Sequence, residues 1–540
     1  MTPDVGQHDV MAFLATPAAH GPGVTDVDCL ETHISAVFLA ANRAYKLKRA
    51  VQLPYVDYST LEARRLFCEK EVRLNRRTAP DLYRRAVPVT RAEDGTLAIG
   101  GAGAPVEWLV EMRRFDQNRL LDAVAQRHAL DVGLATAIGV AAATLHAAAD
   151  TRRDHGGAAA MQWVLDDNNA ELSAAGAVID QAARGRLYEA SLEQLRRHGD
   201  LLDARRAQGW VRECHGDLHL GNLFLDGLRP VLFDCIEFND DLSCIDVLYD
   251  LAFLVMDLLH RRLPAQANAA LNAWLERLPQ YEALPLLPLF LSCRAAIRAK
   301  VALTATAVAS DPADRRRLER DATVYLDQAL GCVTPGGGGI VAIGGLSGSG
   351  KSTLARRLAA DLGRAPGAII LRSDVARKRR FGVDPTVRLP ESAYDARVST
   401  AVYGELTQSA CAIARAGSVA LVDAVFAADS LRQALRDAAA REGVPFLGLW
   451  LDAPFDVMAA RLTRRGVDAS DATVDVLRRQ HTQAAPPHDW TRLDAARALH
   501  EIVAAAHASA AASLHMSASV GARHSAQGPR VASNEPSPTA

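Results

Sequence analysis

A chain of 540 residues exceeds one ordinary domain, and its 49% hydrophobic and 23% charged residues are those of a globular protein. The formal net charge of −2 gives no electrostatic reason for nucleic acid or an anionic membrane to be the main partner, so neither is expected. The eight cysteines (Cys29, Cys68, Cys214, Cys235, Cys244, Cys293, Cys332 and Cys411) form no CxxC pair and read as reduced thiols. The N-terminus has an early acid, no basic region and no long apolar run. The most apolar stretch, LYDLAFLVMDLL, is short and holds two aspartates, so it reads as a core helix. A cytoplasmic protein without a signal peptide or membrane span is expected.

In chain order, HISAVFLA and RAYKLKRAV read as strands joined by a tight AN turn, and TLEARRLFCEKEVRLNRR as a helix. PVEWLVEMRRF reads as another strand. Helix then dominates to about residue 330, interrupted by a hairpin, LFLDGLRPVLFDCIEF, with DG at its turn. TPGGGG, Thr334 to Gly339, reads as a linker, because four consecutive glycines suit neither a helix nor a strand interior. Beyond it, GIVAIGG, GAIILRSD, SVALVDAVF and PFLGLWLDA read as strands alternating with helices, which predicts a parallel sheet covered on both faces. The expected organisation is a first domain over 5–333, a linker over 334–339, a second domain over 340–505 and a disordered Ala/Ser-rich tail over 506–540.

ECHGDLHLGNLFLD, Glu213 to Asp226, carries the first chemistry. His215, Asp217 and His219 alternate and would share one face of an extended strand, so a metal cage is one reading. A phosphotransferase loop explains more residues. A kinase catalytic loop has an Asp that takes the substrate hydroxyl proton and, five residues on, an Asn that holds Mg²⁺; Asp217 and Asn222 stand at that spacing. Asp234 follows on the next strand, where a second Mg²⁺-binding Asp belongs.

CHGDLHLGNLFL…FDCIEF resembles the signature of the aminoglycoside phosphotransferase and choline-kinase-like group. ETHISAVFLAANRAYKLKRAV resembles the N-lobe of members fused to an ATP-binding domain. The resemblance spans most of residues 5–330 and implies an α+β, protein-kinase-like, two-lobed domain. It also implies a phosphate-binding Lys with a helical Glu as partner. AYK favours Lys46, with Lys48 as rival, and Glu71 leads over Glu69. Met112 falls where the adenine hinge is expected, and Asp246 and Asp250 fall on a stabilising acidic helix, or else are capping and surface groups. The first hairpin, THISAVFLAANRAYK, has no glycine, so a Gly-rich phosphate loop is absent.

GLSGSGKS matches the P-loop in full, after an apolar strand and before an amphipathic helix. Gly345, Ser347, Gly348, Ser349, Gly350, Lys351, Ser352 and Thr353 are the expected phosphate contacts, with Lys351 on the β- and γ-phosphates and Ser352 on Mg²⁺. Asp423 ends an apolar strand, as a metal-holding acid should. Asp374 ends another and suits a base, with Arg377 nearby. Arg461, Arg464 and Arg465 suit a phosphate-closing lid, or else a solvated helix face. This set resembles small-molecule P-loop kinases of the gluconate kinase, chloramphenicol phosphotransferase and polynucleotide 5′-kinase type over about 340–490, which implies an α/β P-loop NTPase domain. The expected activity is ATP-dependent, Mg²⁺-assisted phosphoryl transfer to small hydroxyl compounds. The alternative is a ligand-sensing degenerate kinase coupled to a P-loop ATPase switch. Acceptor and oligomeric state have no signal in the sequence.

Overall fold

The computed structural model describes residues 5–514, apart from 308, 467, 484 and 485. Two compact units divide between Pro335 and Gly336.

The first unit opens with a six-stranded antiparallel sheet. Its strands are β1 (Val27–Glu31), β2 (Ser35–Ala40), β3 (Arg43–Lys48), β4 (Tyr83–Arg91), β5 (Leu97–Ile99) and β6 (Ala104–Arg113), in the order β1-β2-β3-β6-β4-β5. β1 escaped the sequence reading because it is an exposed edge strand with no apolar alternation to mark it. The first hairpin is therefore β1–β2, turning through Thr32–Ile34, while the AN turn joins β2 to β3. The two-residue period of β3 puts Ala44, Lys46 and Lys48 on one face. The Leu61–Asn75 helix supplies one acid, Glu71, to that face; it starts at Thr60, whose side chain accepts from the Ala63 N–H. The other face buries Phe38, Tyr45, Leu47 and Leu109 against Val10 and Leu14 of the Val5–Leu14 helix.

After β6 the chain enters a helical lobe. Its central helix, Val247–His260, buries every residue from Val247 to Leu258, which accounts for the apolar run as core. Short strands β7 (Val211–Glu213) and β10 (Cys244–Asp246) pair beside it, and β8 (Leu223–Asp226) with β9 (Arg229–Leu232) forms the expected hairpin. Its loop residues are Gly227 and Leu228, one position later than the DG reading.

The second unit is a parallel sheet of β11 (Gly339–Gly345), β12 (Ile369–Arg372), β13 (Val419–Asp423), β14 (Phe446–Asp452) and β15 (Thr491–Asp494), ordered β12-β13-β11-β14-β15. This is the α/β P-loop arrangement. β15 is short and mostly exposed, so nothing in its pattern announced it. The division between the units falls inside the 334–339 segment read as a linker, and the glycines at its end also pack against the second unit. Gly339 opens β11, and a Cβ on Gly338 would lie 1.9 Å from the Ala414 carbonyl oxygen. The tail is also partly structured: a helix runs over Leu499–Ser513, past residue 506, and residues 515–540 lie outside the described residues. Among the described residues, no helix is long and apolar enough to cross a membrane.

Candidate active sites

In the first unit, Lys46 Nζ donates to Glu71 Oε1 at 3.0 Å and to Asp234 Oδ1 at 2.6 Å. Lys48 Nζ meets Glu71 Oε2 at 2.5 Å and is also bonded to Glu237, which takes the Tyr58 hydroxyl at 2.6 Å. One buried glutamate thus serves two lysines, and their surroundings tell them apart. Lys48 is 1% exposed among Glu71, Glu237 and Tyr58, whereas Lys46 opens onto Asp234. Burial opposes the charge on Lys46, but Asp234 and Glu71 outweigh it and raise its pKa well above the ordinary value. Glu69, the rival acid, pairs with Arg65 on the surface.

Asp217 and Asn222 meet directly: Asn222 Nδ2 donates to Asp217 Oδ2 at 2.8 Å and to its backbone oxygen at 3.0 Å. His219 Nδ1 accepts from the Gly221 N–H at 3.1 Å, and its Nε2 lies 3.3 Å from Asp217 Oδ2. Burial works to raise the Asp217 pKa, but His219, His215 and Arg298 hold it well below the usual carboxylate range. The metal-cage reading does not survive this geometry. His215 turns away and its Nε2 meets the Phe233 carbonyl oxygen at 2.9 Å. Asp234 has φ of +63°, an uncommon conformation for a non-glycine residue. The Asp234 amide donates to the Tyr83 hydroxyl at 3.1 Å, and the next amide, of Cys235, donates to Asn75 Oδ1 at 2.9 Å.

The loop is braced from below. Asp250 Oδ2 accepts from the His215 N–H at 3.0 Å and Oδ1 from the Gly216 N–H at 2.9 Å. His146 Nε2 contacts the same carboxylate at 2.9 Å, while Trp274 Nε1 donates to His146 Nδ1 at 2.9 Å. His146, Cys214 and Asp250 bring their ligand atoms within 4.8 Å of one another, but both imidazole nitrogens are spent on hydrogen bonds, so the cluster is a bracing network. Asp246 takes Arg205 at 2.7 Å and caps Leu248; neither it nor Asp250 is a surface group. Met112 lies inside β6, paired with Ala44 and Tyr83, so its backbone is committed to the sheet. Its side chain joins Leu39, Ala44 and Val110 in the core, and the segment connecting the lobes comes after it.

In the second unit, β11 turns through the P-loop into the Lys351–Leu358 helix. Gly345, Gly348 and Gly350 have φ of +138°, +82° and +100°. Ser352 Oγ donates to Asp423 Oδ2 at 2.6 Å, which joins the hydroxyl and the acid expected to share a metal. Lys351 Nζ folds back to the Leu346 carbonyl oxygen at 3.0 Å, and the Ser349 hydroxyl is buried without a partner. These donors, with the Ser352–Asp423 pair, fit a magnesium-bound triphosphate. Burial lowers the Lys351 pKa, only partly offset by Asp423 and Asp374; burial and the Asp423 charge raise that of Asp374. Thr353 is exposed on the first helical turn.

Of the expected lid arginines, Arg461 touches the loop, donating to the Ser349 carbonyl at 3.3 Å and to that of Ala495 at 2.8 Å. Arg465 donates to the Ser470 and Ala472 carbonyls at 2.9 Å, and Arg464 is exposed. Residues without a sequence signal complete the site. Gln480 Oε1 accepts from the Ser347 N–H at 2.9 Å, and Arg372 bridges Asp423 (3.7 Å) and Asp468 (2.8 Å). Their signal was missing because they come from separate elements with no fixed spacing to the P-loop.

The loop is tightly wrapped, which sets up one test. A Cβ on Gly348 would lie 2.5 Å from the Met458 carbonyl oxygen, in a left-handed conformation. Gly348→Ala is expected to destabilise the second unit by about 1–3 kcal/mol, read as a lower midpoint for that unit in urea unfolding.

Residues 57–287 match the Phosphotransferase enzyme family and residues 340–487 the AAA domain family. Uncharacterized proteins of Mycobacterium tuberculosis and Mycobacterium bovis are 30% identical over 483 residues, covering 86% of this chain and 92% of theirs. A choline/ethanolamine kinase family protein from Mesorhizobium loti shares 14% identity over 61% of this chain and 99% of its own, with a TM-score of 0.36. A gluconokinase from Sinorhizobium meliloti shares 22% over 32% of this chain and 92% of its own, with a TM-score of 0.25. The chain belongs to one family with the uncharacterized mycobacterial proteins, and it is a phosphotransferase built of a kinase-like phosphotransferase-family domain followed by a P-loop kinase-like domain.

Proposed function

We propose that each unit transfers the γ-phosphoryl group of ATP to a hydroxyl of a small molecule, with Mg²⁺ as the metal. The observation that carries this reading is the convergence in the first unit. Lys46 meets Asp234 across 188 residues of chain, beside the hydrogen-bonded Asp217–Asn222 pair. Mg²⁺, when bound, supplies charge neutralisation on the phosphates. The chain's own groups do the rest. Asn222 and His219 both address Asp217 Oδ2, which leaves Oδ1 to take the acceptor's proton. Asn222 and Asp234 offer the metal an amide and a carboxylate oxygen, and Glu71 orients Lys46 towards the phosphates. In the second unit Asp374 takes the proton, Ser352 and Asp423 hold the metal, and Lys351, the P-loop amides, Arg461 and Arg465 hold the phosphates.

The test follows transfer from ATP to a panel of hydroxyl metabolites by wild type, Asp217→Ala and Lys351→Ala. Each variant is expected to lose one set of products and keep the other. If Lys351→Ala abolishes all nucleotide turnover and Asp217→Ala changes nothing, the first unit is a sensor and not a kinase. The two activities are also expected to differ in pH dependence. A base fails once protonated, and the Asp374 pKa is raised while that of Asp217 is depressed. Transfer surviving in Asp217→Ala should therefore fall off at a higher pH, on acidification, than transfer surviving in Lys351→Ala. Matching pH–rate profiles would remove Asp374 from the role of base.

A further inference from the structure

The Leu287–Thr306 helix carries two arginines one turn apart beside the catalytic loop of the first unit. Arg294 is 5% exposed. Its guanidinium lies 3.9 Å from the Tyr249 ring centroid and 4.8 Å from that of Phe253. Its Nε donates to the Tyr249 carbonyl at 3.2 Å, and Nη2 is buried without a partner. Phe253 in turn meets the His219 ring edge-on at 5.4 Å, and His219 touches Asp217. Arg298 sits over Tyr325, which stacks on His260 at 3.7 Å, and it acts electrostatically on both Asp217 and Asp257.

The nearby acids are already taken. Asp257 holds Arg261 at 3.0 Å and the Leu220 N–H at 3.0 Å, and Asp250 holds His146 and the loop amides. Among the described residues, no carboxylate lies within 4.0 Å of either Arg294 or Arg298. Neither guanidinium is thus tied up in a direct ion pair with a described residue: Arg294 feels Asp250, and the half-buried Arg298 feels Asp217 and Asp257, only at longer range, so an arriving anion can take a charge-assisted hydrogen bond there. The same two charges repel an amine-rich acceptor.

We propose that the acceptor of the first unit is a small alcohol bearing an anionic group, a carboxylate or a phosphate ester, which Arg298 holds, with the buried charge of Arg294 behind it, while its hydroxyl lies at Asp217. The proposal rests on Asp217 being the base. The hydroxyl oxygen forms the new bond to the γ-phosphorus as the bond to the β,γ-bridging oxygen breaks. The proton passes to Asp217, and ADP leaves with the bridging oxygen. A polycationic aminoglycoside is then a poor acceptor, whatever the ancestry of the fold.

The experiment uses the full chain carrying Lys351→Ala, so that the second site is silent. The acceptors are matched polyols: gluconate, glucose 6-phosphate, the neutral glucitol, the amine 1-amino-1-deoxyglucitol and, separately, kanamycin. The acid or the phosphate is expected to exceed the neutral polyol in kcat/KM by about tenfold or more, the size of one charge-assisted hydrogen bond. Which of the two wins identifies the anion. Arg298→Gln should remove that preference, lowering kcat/KM for the anionic acceptor at least about tenfold more than for the neutral one, the size of one charge-assisted hydrogen bond, and Arg298→Lys should keep part of it. Kanamycin or the amine as best acceptor, or an equal loss for every acceptor in Arg298→Gln, overturns the proposal.

Titration calorimetry of gluconate and of glucose 6-phosphate without ATP separates this from the kinase reading. Anion binding that Arg298→Gln abolishes supports the anion site even where no transfer is found. If neither anion binds, the site is refuted even where Asp217-dependent transfer to neutral alcohols persists.

Discussion

Asp217→Asn, placed in the Lys351→Ala protein, is expected to cut transfer by the first unit about 10²–10⁴-fold, the range general-base removal gives. Asparagine keeps the shape of the side chain. Its carbonyl oxygen can still accept from Asn222 Nδ2, which now bonds Asp217 Oδ2 at 2.8 Å. The amide group then stands where Oδ1 was, and an amide nitrogen donates hydrogen bonds and takes no proton. Fold and nucleotide binding should survive, because Lys46, Glu71 and Asp234 do not depend on Asp217 for their contacts. Steady-state rates with an accepted alcohol, together with ATP affinity and an unchanged unfolding midpoint, provide the check. A loss smaller than tenfold would leave Asp217 as an orienting group only.

Asp250→Asn is expected to destabilise the first unit by about 1–3 kcal/mol, the cost of leaving a buried hydrogen-bond donor unmet. The carboxylate accepts from two backbone amides and from His146, all of them buried. Asparagine turns one of those acceptors into a donor and sets N–H against N–H in a dry interior. Burial on its own would raise the Asp250 pKa. The hydrogen bond from His146, with the charges of His215 and Arg294, instead lowers it to about 2 from its ordinary 3.8. A depressed acid contributes stability that is complete above its unfolded pKa and is lost as pH falls through its folded one. The wild-type unit should therefore lose this contribution between about pH 4 and pH 2, and Asp250→Asn should lack that limb. Urea unfolding of the full chain from about pH 7 to about pH 2, with the two units followed as separate transitions, reads both effects. A difference below about 1 kcal/mol at neutral pH would mean that the loop holds its shape without this brace.

The two predictions concern residues of different legibility. Asp217 and Asn222 were readable because one loop carries both, and a five-residue offset survives in the sequence. Asp250 sits four positions into a helix that is buried all round, where an acid has no periodicity to betray its partner. On sequence it was as plausible a surface group as a brace. Between Lys46 and Lys48 the AYK pattern favoured Lys46 but could not show what separates them. They share a strand face and differ only in which distant acid each reaches, Asp234 or Glu237. Met112 falls at the end of β6, and that end is set by pairing with β3 and β4 and not by composition.

The sequence by itself determined whatever chemistry is local: the P-loop with its positive-φ glycines, the alternation of strand and helix behind it, and the catalytic-loop spacing. Backbone geometry over a few residues decides these, so contiguous residues encode them. The tertiary structure alone decided which charges neutralise one another. It seats Glu71 between two lysines, puts Asp250 under the loop, closes Ser352 onto Asp423 and, among the described residues, leaves Arg294 and Arg298 without a direct ion pair. Charge pairing in a low-dielectric interior depends on distances between elements far apart in the chain, and no residue spacing records them.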